Sequence, residues 1–515
     1  MAFKDLFRSG RGRLQPADTI NRAGGTAYAL GPKEALAQLA TTSCLGGVFY
    51  ESAEGQLTEV IARAESLDDR FIAQLAIYAR EEGRMKDLPA LLCALLVSRG
   101  SDHLPAVFER VIDTPRQLRA FVQIVRSGVT GRRSFGSRTK RLIETWLQSR
   151  TDAQLVRGSF GQDPSMADIV KMVHPKPTTA ARSALYASWI DRPHVAAELP
   201  DLARELAAFR AGETLEVPDV PFPLIASGDL TAAQWKQVAR NAPIQTTRMQ
   251  LNTFARHGVF EDGEIVDLVA ARLKDREAIG RSGMQPYQVL VGLQNIDATV
   301  PGVIREALVE ALEISVDAVP RWPGKVAVCV DVSGSMGSPI TGWRRGATSV
   351  VRCVDVAALI TAAVLRQNPS ATVVPFDTEV RDVTVRGRDS IATTAETLAR
   401  LCGGGTNCTS AMEFLVRRKI DADLVVFVSD NQSWLDARRG ESALLKTWNR
   451  FRGRNRDAKL VCLDLQPYGD APVPTRDDIA NIGGFSDAVF TRIDEFARSD
   501  GDPARWVEVI ERIAV

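Results

Sequence analysis

The spacing of apolar residues changes near residue 320 and divides the chain into two regions. From residue 33 to residue 319, apolar positions recur at helical intervals that Gly, Pro and Asp interrupt. Clear helical patterns cover residues 33–44, 56–65, 69–82, 88–97 and 139–148. Thr114-Pro115 and Asp229-Leu230-Thr231 are typical helix starts. Because almost no strand pattern occurs in this region, we predict stacked antiparallel helix pairs, as in a HEAT-like solenoid.

Strand and helix patterns alternate beyond the compact boundary Pro320-Arg321-Trp322-Pro323-Gly324. Strands are predicted at residues 325–330, 371–376, 424–429 and 459–465. Helices are predicted near residues 351–367, 390–401, 410–418 and 503–513. This alternation predicts a doubly wound, mostly parallel sheet.

Composition and charge narrow the class of protein. A hydrophobic content of 45% and a charged content of 25% are ordinary for a soluble globular protein, and the net charge is only +1. The seven cysteines are scattered without a CxxC pair, which favours a reducing cytosol over a zinc or disulfide framework. No apolar run is long enough for a membrane span or a signal peptide, so we expect a cytoplasmic protein. Residues 1–20 are expected to form a basic arm.

The strand pattern of residues 326–330 ends in oxygen-bearing side chains. Asp331, Ser333 and Ser335 form a DxSxS motif at its carboxyl end, where open α/β sheets bind ligands. Thr406 follows a Gly-Gly-Gly loop, and Asp430 ends the strand pattern of residues 424–429. Hard oxygen ligands suit Mg²⁺ or Mn²⁺. The set resembles a metal-ion-dependent adhesion site of the von Willebrand factor A type.

DxSxS alone would be weak support for a metal, because an Asp or Ser at a strand-to-helix turn is commonly a helix N-cap. The three loops together favour the metal. We expect Ser333 and Ser335 to bind it directly, Thr406 directly or through water, and Asp331 and Asp430 through water. An ion held by neutral hydroxyls stays electrophilic and can take a carboxylate or phosphate from a partner. Without a general base beside an activated water, hydrolysis is not suggested.

Short motifs occur in the helical region at residues 21–25, 44–50, 168–177, 241–244 and 284–290. Further motifs occur in the second region at residues 331–336, 404–412, 427–431 and 482–485. In content and order, these motifs resemble those of the TROVE-domain Ro autoantigen family, whose bacterial members are the Rsr proteins. Two neighbours of the metal set depart from its pattern, since Asn407 and Gln432 stand where acidic residues are expected.

The resemblance implies a fold and a function. It implies a TROVE ring of HEAT-like helical repeats over residues 21–320, closed by a von Willebrand factor A-like domain over residues 325–515. Ro proteins bind Y RNA on an outer basic face and the single-stranded 3′ ends of misfolded RNA in the ring. Bacterial members are linked by Y RNA to polynucleotide phosphorylase or another exoribonuclease. A self-closed ring would permit a monomer.

A local excess of basic residues is the counterpart of that implied RNA-binding face. Residues 101–150 contain ten Lys and Arg against four Asp and Glu. We define the 126–141 cluster as Arg126, Arg132, Arg133, Arg138, Lys140 and Arg141. Arginine binds phosphate bidentately, although such a run can also be a solvated helix face. By resemblance, His174 and Lys176 would also contact RNA, although a His before Pro is often a structural hydrogen-bonding residue.

Three functions remain open from the sequence. The first is a non-catalytic RNA-binding scaffold for quality control of noncoding RNA. The second is a metal-dependent protein-interaction scaffold without an RNA role. The third, a metal-dependent nuclease, ranks last because two-ion sites need clustered carboxylates and only Asp331 and Asp430 are available.

Overall fold

The structure is a computed structural model of the 515-residue chain. It describes residues 16–42, 48, 50–225, 230–317, 319–343, 351–430, 432, 442–486, 488–498 and 505–515. The predicted arm (residues 1–20), Cys44 and Asn431 lie wholly or largely outside these ranges. No helix in the described ranges is long and apolar enough to cross a membrane.

The chain divides into two compact units, each of which combines separate stretches of sequence. One unit contains the described residues up to 63 and those from 319 to 508, and the other contains residues 64–317 and 509–515. The chain passes from the second unit back to the first at residue 319, close to the predicted boundary near residue 320. Residues 21–63, which the sequence grouped with the helical region, share a unit with the sheet.

The N-terminal segment packs against the sheet-containing part of its unit. Its elements are β1 (Thr19–Ile20), β2 (Thr26–Ala29), α1 (Pro32–Thr42) and α2 (Ala53–Glu65). Strands this short leave no alternating pattern in the sequence, so β1 and β2 were not predicted.

The second unit is helical, as the apolar spacing predicts. Its α-helices are α3 (Asp69–Glu81), α4 (Asp87–Arg99), α5 (Leu104–Val111), α6 (Pro115–Ser127), α7 (Ser137–Ser149), α8 (Asp152–Arg157), α9 (Met166–Val173), α10 (Ala180–Trp189), α11 (Asp201–Arg210), α12 (Ala232–Asn241), α13 (Ile244–Arg256), α14 (Gly263–Leu273), α15 (Arg276–Ser282), α16 (Pro286–Gln294) and α17 (Gly302–Ser315). Short 3₁₀ helices occur at Ala196–Glu198, Phe222–Leu224 and Val259–Glu261. Both predicted helix starts are confirmed, because Thr114 caps α6 and Thr231 caps α12 with their side chains.

Two arginines of this unit, the half-buried Arg99 and the buried Arg182, join helices with a repeated spacing. Arg99 donates to the carbonyls of Ala64 and Leu67 and to Asp69, which lie 35, 32 and 30 residues earlier. Arg182 has the same three offsets to Leu147, Arg150 and Asp152. Residues 99 and 182 are separated by about two periods of a 40–47-residue HEAT-type repeat. The repeat that the sequence pattern left without a period is therefore visible in these hydrogen bonds.

The C-terminal part of the chain forms the predicted doubly wound sheet. Its elements are β3 (Val326–Asp331), α18 (Cys353–Gln367), β4 (Thr372–Phe376), α19 (Ile391–Ala399), α20 (Cys408–Arg417), β5 (Leu424–Ser429), α21 (Ala443–Arg452), β6 (Lys459–Asp464), β7 (Asp470–Ala471), β8 (Ile479–Gly483), α22 (Ala488–Arg498) and α23 (Arg505–Glu511), with a 3₁₀ turn at Gly334–Gly337. The five-stranded sheet has the order β4-β3-β5-β6-β8, and every neighbouring pair is parallel. The four predicted strands are confirmed.

The fifth strand and a small second sheet were not predicted. β8 contains Asn481 and Gly483, which interrupt its apolar pattern, but Asn481 is buried and its amide donates to Val473 O and Thr475 Oγ1. β1, β2 and β7 form an antiparallel three-stranded sheet, in which Tyr28 is paired with Ala471. This pairing holds the N-terminal segment against the loops that follow β6.

Candidate functional site

The DxSxS loop and Asp430 lie at the carboxyl ends of β3 and β5, which are neighbours in the sheet. The chain runs from β3 outward to β4 and later returns to place β5 on the other side of β3. In open α/β sheets, such a reversal of strand order leaves a crevice at the carboxyl ends, where ligands bind. Asp331, Ser333 and Asp430 are completely buried there, and Ser335 and Thr406 are nearly so.

Asp331 is held by hydrogen bonds on both carboxylate oxygens. Oδ1 accepts from the backbone N–H of Ser333 at 2.8 Å, and Oδ2 accepts from the hydroxyl of Ser429. Burial and the nearby charge of Asp430 raise the pKa of Asp331 to about 7, against the lowering effect of these hydrogen bonds. Ser429 was not predicted as a site residue, although it directly precedes Asp430 at the end of the predicted strand.

Asp430 is the least satisfied side chain of the site. Its Oδ1 accepts from the N–H of Gln432 at 3.2 Å, while its buried Oδ2 has no hydrogen-bond partner among the described residues. Burial raises the pKa of Asp430, and the nearby Ser335 hydroxyl lowers it in part. The hydroxyl oxygens of Ser333 and Ser335 are 3.2 Å apart. Two buried carboxylates therefore face a pair of neutral oxygen donors.

The loop that carries Thr406 is tied to the DxSxS loop through its backbone. Gly403 N–H donates to Val332 O at 2.8 Å, and Gly334 N–H donates to Gly404 O at 2.9 Å. Gly404 has a φ of +73°, and a Cβ there would lie 2.6 Å from a carboxylate oxygen of Asp377. Glycine is thus required where this loop turns toward the site. The structure brings the predicted Thr406 loop beside the DxSxS loop.

Residues of the N-terminal segment complete one side of the site, which the sequence gave no signal to expect. The Tyr50 hydroxyl lies near Ser335, whose side chain lowers the pKa of Tyr50, but burial followed by the charge of Asp430 raises that pKa to about 12. Tyr50 N–H donates to the Tyr468 hydroxyl at 3.4 Å, and the two rings meet edge to face. Because Tyr50 precedes the motif by some 280 positions in the chain, only the fold shows this proximity.

Gln432, one of the departures from the family pattern, has a structural role. Its side-chain oxygen accepts from Arg22 N–H at 2.8 Å, and its amide nitrogen lies 3.5 Å from Asp470 Oδ1. A glutamate at this position could not donate to Asp470. Gln432 thus links Asp430, through its backbone N–H, to the N-terminal segment and β7, through its side chain. Asn407, the other departure, donates to Thr378 O at 3.3 Å.

The donor set fits a hard divalent cation. The orphaned Oδ2 of Asp430 and the closely spaced serine hydroxyls are oxygen donors of the kind that Mg²⁺ prefers. Mg²⁺ or Mn²⁺ would be held by Ser333, Ser335 and Thr406, with Asp331 and Asp430 balancing its charge. Among the described residues, no group of three or more His, Cys, Asp or Glu side chains could hold a metal.

The 126–141 cluster lies on two helices and the loop between them. Arg126 is near the end of α6, Arg132 and Arg133 are in the loop, and Arg138, Lys140 and Arg141 are on α7. Arg126, Arg133, Arg138 and Arg141 are exposed, and Arg132 and Lys140 are partly exposed. Only Arg138 forms an ion pair with a described residue, the fully solvated Asp102. The positive charge of this surface is thus largely uncompensated.

The loop is shaped by specific backbone contacts. Arg132 donates to Ser134 O and Val97 O, which fixes the start of the loop against α4. Gly128 ends α6 with a φ of +80°, and a Cβ there would lie 2.6 Å from the side chain of Arg133. Glycine is favoured at this position because the φ of +80° lies in the left-handed region, and the Arg133 side chain crosses over it.

His174 and Lys176 lie close to the same helix pair. His174 ends α9 in the left-handed region, with a φ of +54°, and its side chain is exposed. Lys176 N–H donates to Glu144 Oε1 on α7 at 2.8 Å, and the Lys176 side chain is also exposed. The structure therefore brings this segment beside the α7 end of the cluster. The backbone of His174 is a helix terminator, and its ring faces solvent.

The parallel sheet, with hydroxyl and carboxylate side chains at the ends of two neighbouring strands, defines a von Willebrand factor A-type domain that follows a helical region. Residues 325–497 match the Ro60 vWA domain family. The chain is 23% identical to the RNA-binding protein RO60 of Deinococcus radiodurans over 97% of this chain and 99% of that protein. The crystal structure of the RO (RSR) protein of the same organism aligns with a TM-score of 0.60 and 20% identity, covering 91% of this chain and 100% of that chain.

These similarities identify residues 325–497 as a vWA domain of the Ro60 type. They confirm the family resemblance predicted from the ordered motifs. The predicted combination of a helical-repeat region and a doubly wound sheet is confirmed as well.

Proposed function

We propose that this chain is a non-catalytic, RNA-binding scaffold of the cytoplasm. It would bind Y-like noncoding RNA and the single-stranded 3′ ends of misfolded RNA, and so serve RNA quality control. The observation that carries the proposal is the 126–141 cluster, whose positive charges are exposed and largely without ion-pair partners among the described residues. Lys176 lies beside this cluster, because its backbone N–H donates to Glu144 of α7. The similarity to a protein named as RNA-binding, along almost the whole chain, supports it.

The residue types of the cluster suit a phosphate backbone. Five of its six members are arginines, whose guanidinium groups can bind phosphate oxygens in pairs. Recognition of structured RNA depends largely on shape and on phosphate and ribose contacts, for which a loop between two helices is adaptable. His174 adds an exposed ring that could stack on an unpaired base.

The sheet domain would provide a second kind of contact. Mg²⁺ or Mn²⁺ at Ser333, Ser335 and Thr406, balanced by Asp331 and Asp430, would offer an electrophilic position to a carboxylate or phosphate of a partner. Polynucleotide phosphorylase or another exoribonuclease is the partner class that the family resemblance implies. A monomeric ring is the assembly that we propose.

A salt titration with two RNAs tests the RNA-binding proposal. One RNA is a hairpin with a single-stranded 3′ tail, and the other is the same hairpin with a blunt end. We expect tail-dependent binding that weakens steeply with salt, because each phosphate contact releases counterions. Absent binding, or binding that does not depend on the tail, would contradict it.

A metal-dependent protein-interaction scaffold is the second candidate. The buried oxygen donors of the candidate metal site favour it, because such a site could bind a partner's carboxylate without RNA. A preparation with a high ratio of absorbance at 260 to 280 nm that RNase lowers would favour the first candidate. A partner retained only with Mg²⁺, in the absence of nucleic acid, would favour the second.

A further inference from the structure

A second group of basic side chains lies on the sheet domain, at the edge opposite the candidate metal site. α20 and α21 directly precede the parallel strands β5 and β6. Their carboxyl ends therefore meet at the amino-terminal edge of the sheet, whereas DxSxS and Asp430 lie at the carboxyl-terminal edge. The backbone confirms the meeting point, because Lys459 N–H donates to Asp423 O at 2.9 Å.

The two helices are neighbours on one face of the sheet. Met412 and Leu415 of α20 share a hydrophobic core with Leu445 and Trp448 of α21. Packed helices have axes about 8–10 Å apart. Side chains at their carboxyl ends thus form one continuous surface.

This surface is strongly basic. We define the 417–456 surface as Arg417, Arg418, Lys419, Arg450, Arg454 and Arg456, all of which are exposed. None of the six forms an ion pair with a described residue, whereas nearby Lys325 is paired with Asp421 and Arg452 with Asp478. Lys325 and Arg452 thus have acidic partners, whereas the six cations of the 417–456 surface have none among the described residues.

The local charge balance remains positive after its opposing contributions are counted. Residues 446–459 contain six basic side chains and one acidic side chain, Asp457. Exposed Glu413, Asp421 and Asp423 lie on or just after α20, and Lys325 engages both Asp421 and Asp423. Each helix carboxyl end adds about half a negative charge. These contributions reduce the positive charge without cancelling it.

The chemistry of the surface favours nucleic acid over protein. Protein interfaces are built around buried aromatic or aliphatic anchors. No large hydrophobic side chain is exposed in the described parts of α20, α21 and the turns after them. Five of the six cations are arginines, which pair with phosphate oxygens.

We propose that the 417–456 surface binds the sugar-phosphate backbone of single-stranded RNA, as a second RNA contact independent of the 126–141 cluster. The proposal rests on the proposed function, since it assumes that the chain binds RNA. It assigns to the sheet domain a nucleic-acid contact in addition to its candidate metal site.

The test uses the full chain and a fluorescein-labelled oligouridylate in a salt titration. The variant Arg450→Glu/Arg454→Glu/Arg456→Glu should weaken binding roughly tenfold or more at low salt. The slope of log affinity against log salt should fall by about 2, because each phosphate contact of a single strand contributes about 0.7. Arg450→Gln/Arg454→Gln/Arg456→Gln provides a neutral variant if the reversed charges prevent folding.

A charge-matched control separates local contact from net charge. Arg386 and Arg388 are exposed before α19, and Arg400 follows that helix. The control variant Arg386→Glu/Arg388→Glu/Arg400→Glu changes the net charge by the same amount as the 450/454/456 variant. It should leave the slope of log affinity against log salt unchanged. Equal loss in both triple variants would overturn the proposal, because the effect would then be long-range.

The remaining outcomes distinguish the two proposals. If the 450/454/456 variant binds normally while Arg132→Glu/Arg133→Glu weakens binding, the second contact is overturned and the proposed function stands. If the unaltered chain binds no RNA, both proposals fail. Loss of binding to polyglutamate, with oligouridylate binding unchanged, would assign the surface to an acidic protein and overturn the proposal.

Discussion

Arg182 in the helical region and Asp430 at the end of β5 are both buried charged side chains, but their surroundings differ. Arg182 donates to two backbone carbonyls and to Asp152. Asp430 has an oxygen without a hydrogen-bond partner among the described residues and lies near a second buried carboxylate. Removing the partner of a buried charge is strongly destabilising, whereas a buried carboxylate that lacks partners is relieved by protonation or by a further ligand such as a cation.

The two regions also present their candidate contacts differently. In the helical region Arg99 and Arg182 connect helices, and the 126–141 cluster is displayed on the surface. In the sheet domain, the candidate metal ligands are buried at the end of the core strands. Loss of a helical-region surface charge should therefore affect binding alone, whereas changes of buried charge should affect stability or metal binding.

The largest expected effect is on the stability of the helical region. Arg182→Leu leaves Asp152 and two carbonyls without their donor, so the free energy of unfolding should fall by about 3 kcal/mol. Urea denaturation measures it. The control Arg204→Leu removes an exposed ion pair with Asp201 and should change stability by less than about 0.5 kcal/mol. A similar loss of unfolding free energy in both variants would mean that the hydrogen bonds of Arg182 stabilise the fold no more than an exposed ion pair does.

Metal binding should give the next largest effect. Mg²⁺ at about 100 times its dissociation constant should raise the free energy of unfolding by about 2.7 kcal/mol, because it binds only the folded site. Thermal unfolding with and without Mg²⁺ measures the shift. Ser333→Ala should remove most of it.

Ser338→Ala is the matched control for the metal site, since the Ser338 hydroxyl donates to Gln466 instead. It should lower stability in the absence of metal and retain the Mg²⁺ shift. Asp331→Ala should disturb the metal and leave RNA binding largely intact. Loss of RNA binding in Asp331→Ala would show that the two regions do not divide the functions as proposed.

Charge reversal in the 126–141 cluster comes third. Arg132→Glu/Arg133→Glu should weaken binding of the tailed hairpin roughly tenfold at low salt and reduce the salt slope. Because Arg132 also donates to Val97 O, the free energy of unfolding should fall by about 1 kcal/mol or less. Fluorescence anisotropy measures the affinity. Arg132→Lys/Arg133→Lys, which keeps the positive charge, should lose much less affinity for the tailed hairpin. Unchanged affinity in the reversed variant would mark the cluster as a solvated face.

The smallest effect should come from the N-terminal segment. Tyr50→Phe removes a half-buried hydroxyl that lies near Ser335, so the metal-free protein should lose about 1 kcal/mol of unfolding free energy or less. Calorimetric titration with Mg²⁺ then shows whether Tyr50 influences the ion. A variant with unaltered stability and unaltered Mg²⁺ affinity would show that this contact is dispensable.

Local sequence patterns were sufficient for the elements with strong periodicity. The strands that end at Asp331 and Ser429 are continuous apolar runs, and Thr114 and Thr231 are recognisable caps. α21 was missed, although Leu444, Leu445, Trp448 and Phe451 have helical spacing. The interrupted β8 and the two-residue strands were missed because their stability comes from pairing and not from their own pattern.

The sequence by itself determined the two regions, the oxygen-donor motifs at strand ends and the basic cluster, because each is written in neighbouring residues. The tertiary structure alone placed Tyr50 at Ser335, joined Gln432 to Arg22 and brought the ends of α20 and α21 together. These contacts join residues that are distant in the chain, and they depend on strand order and helix packing. Local patterns specify elements, whereas the relative positions of distant side chains follow only from how those elements pack.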